Sequence, residues 1–523
     1  MKKIRKHRNY LHLEGPSLHL HGKIGDFKGI FSPIRTNYPK ISALTTASIA
    51  REAGLDIEAV DMKIHQQDNL TSYKKFFYGP NELIASRMGM SFDSVAYQIA
   101  NADILGISIN PTCWSDISLD LIRYAKKINK ELFVIIGGTD AMFRYEYYLN
   151  TGLIDVVIIG EGEESGKILF QQLQRGQLDL DKIPGIAFLN NGKAVATPRG
   201  TLVNLDDCPL PAIDIFEAEI PLWTTPIEYW KLPQGATTPI AFIELSRGCV
   251  QRCDYCTTPA KLRSFRAKSL SRIEKELDYL LTFGISTINI WDDSISSMLK
   301  LNNGEERLKE TMNLLRNKGF AWEFSQGAVV FKDLYDEQTG EIKTDLIDAL
   351  YSSSFNDGKF IGSYAQYCPF EFLQVENPSN AYEKLMTYEK ELAVFDAILS
   401  AGVSSVSFGT IFGLMEDNDK NLQLTKKRLH EIVDIANKHK TNSLVTSFIY
   451  QLFPGTKAYT RGKEKIVYPI DKYPELVQLR MCNHETSFYK PHELVIALKI
   501  MEKEFYTEQQ FQNTLNTGRY IWS

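Results

Sequence analysis

The sequence has no uninterrupted apolar run approaching the roughly 18 residues that a membrane span requires. Nor is its basic start, MKKIRKHRNYLHLEG, followed by an apolar stretch of signal-peptide length. Both absences lead us to expect a mature cytoplasmic chain. Charge of one sign is missing too: 59 Lys and Arg stand against 64 Asp and Glu, a net charge of −5. That balance leaves no electrostatic footprint for wrapping nucleic acid or anionic lipid, so nucleic acid is not a favoured partner. Cysteine is sparse, 7 in 523 residues, and the number is odd. Three of the seven crowd into residues 249–256, which fits metal or redox chemistry better than a disulfide framework. Histidine is absent from the whole stretch between residues 66 and 429. Repeats and low-complexity tracts are lacking as well.

What is present is an ordinary globular composition on a chain too long for one core, so two or three domains are expected. From residue 27 to 170, short β-branched runs alternate with helical patterns, the rhythm of a parallel sheet with covering helices. The strands are read at 56–60, 103–108, 132–136 and 156–159. Between the second and third, Asp116 is placed to cap a helix whose Ile117, Leu121, Tyr124 and Ile128 would face the sheet. Gly137-Gly138 and Gly160-Glu161-Gly162-Glu163 follow two of the strands, and a doubly wound sheet binds its ligand at such carboxyl ends. Residues 208–240 hold six prolines without periodicity and read as a connection. A second βα series follows, with strands at 241–245, 287–291, 320–325, 372–376, 405–409 and 445–451. Six units suit an open, partial (β/α) barrel rather than a closed eightfold one. The expected division is an α/β, Rossmann-like domain over 1–215, a linker over 216–240, the barrel over 241–460 and a C-terminal helical extension over 461–523.

Ser246-Arg-Gly-Cys249-Val-Gln-Arg-Cys253-Asp-Tyr-Cys256 falls on the loop after the first barrel strand, at the end where barrel active sites assemble. Three thiolates on one loop can grip one face of an iron–sulfur cubane and leave one iron open. A structural zinc site would need a fourth Cys or His nearby, and the next cysteine is Cys368. Cys113, Cys208, Cys368 and Cys482 read as core thiols.

This spacing, with Tyr255 just before the third cysteine, resembles the radical SAM signature. The resemblance implies that Cys249, Cys253 and Cys256 hold a [4Fe–4S] cluster whose free iron chelates S-adenosylmethionine, and that cleavage yields a 5′-deoxyadenosyl radical. It places Tyr255 against the adenine and Asp292, in Trp291-Asp292-Asp293, near the methionine amine, although two carboxylates there could equally cap a helix. Glu376, closing the expected fourth strand, corresponds to a polar residue near the ribose or amine. Gly413 lies in a segment similar to the family's glycine-containing stretch after strand five.

The first half is similar to the cobalamin-binding domain that precedes the barrel in one subgroup of this superfamily. The marks are Gly137-Gly138-Thr139, the segment around Glu161 and Gly162, Ile183-Pro-Gly-Ile-Ala and Asp206-Asp-Cys-Pro-Leu-Pro211, taken in order. Asn110, Thr112 and Trp114 either approach the corrin or its nucleotide tail or belong to an ordinary turn, which Asn-Pro at that place also forms. One departure stands out: the D-x-H-x-x-G element that supplies an axial histidine is missing, because His65 follows Asp61 at the wrong spacing.

Cofactors carry the difficult chemistry, so a radical generator paired with a cobalt methyl carrier implies a methyltransferase acting on an unactivated carbon of a small molecule or peptide. The alternatives are a radical cyclase or rearrangement enzyme, a non-catalytic cobalamin or metal sensor, and a radical enzyme acting on RNA bases. A flavodoxin or ferredoxin type electron donor is expected. Trp223, Trp230, Tyr364 and Tyr367 are either pocket-lining or core residues.

Overall fold

The computed structural model describes residues 2–3, 5–31, 41–224, 232–261, 264–324, 329–376, 378, 382 and 384–517. Trp230 and part of the expected linker lie outside them.

The first sheet is built on β1 (Asn9–Glu14), a strand that the sequence reading, starting at residue 27, passed over. Parallel strands follow as β2 (Asp56–Asp61), β3 (Ile104–Ser108), β4 (Phe133–Gly137) and β5 (Val156–Ile158), in the spatial order β2-β1-β3-β4-β5. An antiparallel hairpin, β6 (Ile186–Asn190) and β7 (Lys193–Ala196), extends the far edge. β1 is therefore central, and the order reverses between β1 and β3. One face is covered by α1 (Ile41–Glu52) and α3 (Gly162–Arg175), which bury Ile49, Leu169 and Phe170 against it. The other carries α2 (Ser115–Ile128) with Ile117 and Leu121 buried. Two details of that helix differ from expectation. Asp116 sits inside the first turn and pairs with Lys74 at 2.8 Å, while Ile128 is 37% exposed, because the helix ends there and its last turn faces solvent.

The second half is an open barrel of six parallel strands taken in sequence: β8 (Ile240–Ile243), β9 (Thr287–Ile290), β10 (Ala321–Phe324), β11 (Lys359–Pro369), β12 (Ser405–Phe412) and β13 (Asn442–Ile449). The helices α4 (Leu270–Thr282), α5 (Gly304–Asn317), α6 (Thr344–Tyr351), α7 (Tyr388–Ser400) and α8 (Asp419–Lys438) alternate with them. The fourth strand corrects the sequence reading. Residues 371–374 form a turn, and the ladder partner of β10 and β12 is Lys359–Pro369. Glu376 consequently closes no strand: its side chain is 84% exposed and lies 3.6 Å from Arg428.

A third sheet was not anticipated. Ser17–Ile24, Phe27–Ile30, Leu70–Tyr78 and Asn81–Met88 form four antiparallel strands inserted into the first half. The C-terminal segment packs on it. In α10 (Glu508–Thr517) Phe511 stands edge-on to Phe27 at 5.7 Å, and the Tyr78 hydroxyl donates to the Cys482 carbonyl at 2.8 Å. The preceding α9 (Pro491–Lys503) contributes Leu494 and Leu498 to the barrel core. No helix among the described residues is long and apolar enough to cross a membrane.

Candidate functional site

The cysteine loop is framed on three sides. At its entry, Ser246–Arg247 pairs antiparallel with Arg266–Ala267. Gly248 then turns with φ +97°, and a Cβ at that position would lie 2.4 Å from the Ser264 carbonyl oxygen, so only glycine fits. The Trp291-Asp292-Asp293 stretch holds the loop from the neighbouring strand end. Asp292 accepts from the Leu245 amide at 2.8 Å and from the Ser246 hydroxyl, while Asp293 accepts from the Gly248 amide at 3.1 Å and the Thr258 hydroxyl at 2.9 Å. On the far side Asp254 accepts from the Tyr450 hydroxyl at 3.3 Å and pairs with Arg461.

Cys249, Cys253 and Cys256 are half-buried and free of disulfides. The Gln251 amide donates to Cys249 Sγ and the Thr258 amide to Cys256 Sγ, both at 3.4 Å. Burial raises the Cys249 and Cys253 thiols, the latter to about 11, with the Lys384 ammonium opposing the effect at both. Among the described residues no group of three or more His, Cys, Asp or Glu could hold a metal ion. A cubane makes a different demand, since each thiolate binds its own iron and the three must stand apart. Three half-buried thiols on one loop, none of them in a disulfide, are a donor set that fits such a cluster.

Asp292 is 1% exposed, and burial pushes its carboxyl up to about 7 against the pull of the Ser246 and Leu245 bonds. Its two oxygens are thus engaged in holding the end of β8. The Tyr255 hydroxyl donates to Glu371, and its ring stands edge-on to Phe372 at 5.5 Å. Glu371 also takes Lys384, whose ammonium lies 5.7 Å from the Tyr255 ring centroid. The sequence reading missed this Tyr255–Glu371–Lys384 group, because nothing in the spacing ties residues 371 and 384 to the cysteines. Gly413 directly follows β12, its amide donating to Asp417 at 2.8 Å.

Facing the cysteine loop are the strand-end loops of the first half. Asn110 bridges two of them: its Oδ1 accepts from the Thr139 amide at 3.0 Å and its Nδ2 donates to Ser108 Oγ at 3.2 Å. Gly138 has φ +98°, and a Cβ there would meet the Ile109 carbonyl oxygen at 2.7 Å, so the close approach of these loops depends on it. Thr112 instead donates to Asp140 at 2.6 Å and is buried as a pin under the loop. Glu161 and Glu163 reach across to the barrel. Arg247 binds Glu163 at 2.7 Å and Glu161 at 3.2 Å, and Arg266 also pairs with Glu161.

Between the two halves lies one cavity of about 670 Å³. From the first half Asn110, Gly137, Gly138, Thr139, Glu161 and Gly162 line it; from the barrel come Cys256, Asp292, Asp293, Phe242 and Trp291. Thr112, Tyr255, Glu376 and Gly413 do not, nor do Cys249 and Cys253. Tyr10 and His12 also line it and were missed with the strand that carries them. The alternation Tyr10-Leu-His12-Leu-Glu14 was the available signal. Trp223 and Tyr364 are fully buried, in keeping with core roles. A space of this size, floored by strand-end glycines, fits a large planar cofactor at the reversal point of a doubly wound sheet.

Comparisons with known proteins agree with this architecture. Residues 28–169 match the B12 binding domain family. The chain is 29% identical over 213 residues to an uncharacterised methyltransferase of Pyrococcus horikoshii, covering 40% of this chain and 43% of that one. It is 31% identical over 190 residues to the hopanoid C-3 methylase of Methylococcus capsulatus, covering 36% of this chain and 34% of that one. The chain therefore spans less than half the length of these relatives. Its structure superimposes on the cobalamin-dependent S-adenosylmethionine radical enzyme OxsB, solved with aqua-cobalamin and S-adenosylmethionine bound, with a TM-score of 0.66 at 16% identity, covering 98% of this chain and 70% of that one. The chain shares the fold of that enzyme, an α/β half matched over residues 28–169 by the B12 binding domain family followed by an open six-stranded barrel.

Proposed function

We propose that this protein is a cobalamin-dependent radical SAM methyltransferase that methylates an unactivated carbon of a small molecule or peptide. The observation that carries the reading is the single cavity onto which both Cys256 of the cysteine loop and the Gly137-Gly138-Thr139 loop open. In this reading Cys249, Cys253 and Cys256 hold the [4Fe–4S] cluster, and Asn110, Gly138 and Thr139 cradle the cobalamin. Together the bound groups supply a radical able to abstract hydrogen and a transferable methyl group. The chain's own residues orient and enclose them. Asp292 and Asp293 keep the cysteine loop against the barrel mouth, and the Arg247–Glu161–Glu163 contacts keep the two halves closed over the cavity, which shields a radical from water. Glu371 and Lys384 fix Tyr255 beside the cysteines. A one-electron donor of flavodoxin or ferredoxin type completes the reading.

The test is anaerobic purification with iron, sulfide and cobalamin quantified, followed by incubation with reductant and S-adenosylmethionine. We expect about four irons per chain, stoichiometric corrinoid and release of 5′-deoxyadenosine. Labelled methyl groups from S-adenosylmethionine should appear in product. A cluster-bearing protein that makes 5′-deoxyadenosine but transfers no label to the product of its substrate would sink methyl transfer in favour of a cyclase or rearrangement.

A further inference from the structure

The cavity does not stop at the strand ends. It continues between the sheet and helices α1 and α3 to the level of Gly106, which pairs with His12 on one side and Ile135 on the other. The walls of this arm are mostly apolar or bare, Ile49, Ile135, Gly166, Leu169 and Phe170, with Thr45 and Thr46 of α1 also on the cavity lining. Its floor is polar. Tyr10 and His12 of β1 both line it, at 1% and 2% exposure.

The two residues begin a buried chain of hydrogen bonds. The Tyr10 hydroxyl lies 3.0 Å from His12 Nδ1, and His12 Nε2 lies 3.3 Å from Glu14 Oε1. Glu14 accepts from Lys63 Nζ at 3.4 Å, and Asp61 accepts from the same ammonium at 2.9 Å. Burial alone would discharge Lys63, but Asp61 and Glu14 hold it protonated above its ordinary value. This chain has a direction. A carboxylate facing an ammonium offers only acceptors, so His12 donates to Glu14 from Nε2, leaving Nδ1 as the acceptor. With the imidazole neutral, the Tyr10 hydroxyl then donates to Nδ1. Burial keeps that phenol neutral by raising it well above its ordinary value, and its oxygen, which lies over the cavity-lining Gly106, is left able to accept but not to donate.

We propose that the Tyr10–His12–Glu14 relay selects the heterocycle on the nucleotide arm of the bound corrinoid, favouring a base that carries a hydrogen-bond-donating amine over one edged with methyl groups. The proposal rests on cobalamin occupying this cavity. An adenine base donates to the Tyr10 oxygen, whereas the methyl edge of dimethylbenzimidazole leaves that acceptor unmet.

The experiment titrates the full-length, corrinoid-free protein with three corrinoids by absorbance: cobalamin, its analogue with adenine as lower base, and dicyanocobinamide, which has no base. The wild type should bind the adenine form about fivefold more tightly than cobalamin, the worth of one neutral hydrogen bond. Tyr10→Phe should bring that ratio to about one while leaving cobinamide affinity unchanged. His12→Leu, which frees the phenol proton to turn into the arm, should lower the ratio as well and serves if Tyr10→Phe does not fold. A wild-type ratio of one or below, or a ratio unaltered in the folded variants, overturns the selector. Failure of the wild type to bind any of the three overturns the cobalamin reading, and the selector with it.

Discussion

Gly248 stands one residue ahead of the first cysteine of the cysteine loop, in a backbone conformation that side chains resist and against a carbonyl oxygen that leaves no room for one. Gly248→Ala is expected to cost about 2–3 kcal/mol locally. Because the strain falls on the loop that presents Cys249, iron per chain after reconstitution should drop more than the melting temperature; full iron loading in the variant would refute this. Glu323, fully buried in β10, accepts from the Asn289 amide, and burial pushes its carboxyl from 4.5 up to about 8. In the unfolded chain the same group ionises near 4.5, so its contribution to stability is whole below that pH and is lost as pH rises towards 8. Glu323→Gln removes the titration. Between pH 5 and 8 the wild type should lose about 3–4 kcal/mol that the variant keeps, as read from denaturation midpoints at the two pH values. At this scale the cysteine loop and the strand-end glycines were legible, since their spacing is written in the chain itself. Tyr10, His12, Glu371 and Lys384 were not, because each acquires its role from a partner supplied by the fold.

Among the elements, the Gly160-Glu161-Gly162-Glu163 turn does two things at once: it opens α3 beside the cavity, and it clamps the barrel through Arg247 and Arg266. Glu161→Gln would take the carboxylate partner from Arg266 and one of three from Arg247, which keeps Glu163 and Glu244, at a cost of about 1–3 kcal/mol. The expected outcome is faster hydrogen exchange at residues 160–163 and 246–267 with the two sheet cores unchanged. Uniform exchange across the protein would place the effect elsewhere. The fourth barrel strand shows how an element escapes a reading by hydrophobic pattern. Residues 372–375, Phe-Leu-Gln-Val, look like a buried strand yet turn above the barrel. The real strand contains Gly362, Ser363 and Gln366, all buried, and a strand whose inner residues are polar gives no clean alternation. β1 was overlooked for a related reason, since buried His12 and Glu14 break its apolar run.

For the molecule as a whole, the C-terminal helices are tied to both ends of the architecture. Phe511 and Leu515 of α10, at 1% and 3% exposure, cover the inserted antiparallel sheet near Phe27 and Gly29. Removing residues 508–523 should destabilise that sheet by about 3–6 kcal/mol and raise exchange across residues 17–30, while the barrel keeps its protection. Retained protection at residues 17–30 would show that the helix is dispensable. The sequence alone determined the two α/β halves, their order and the cysteine loop, because strand and helix periodicities and cysteine spacing are local properties of the chain. The inserted sheet, the depth of the cavity and the hydrogen-bonded floor beneath it were decided only by tertiary structure. Their contacts join residues tens to hundreds of positions apart, and no local pattern records which distant side chain will complete a buried polar group.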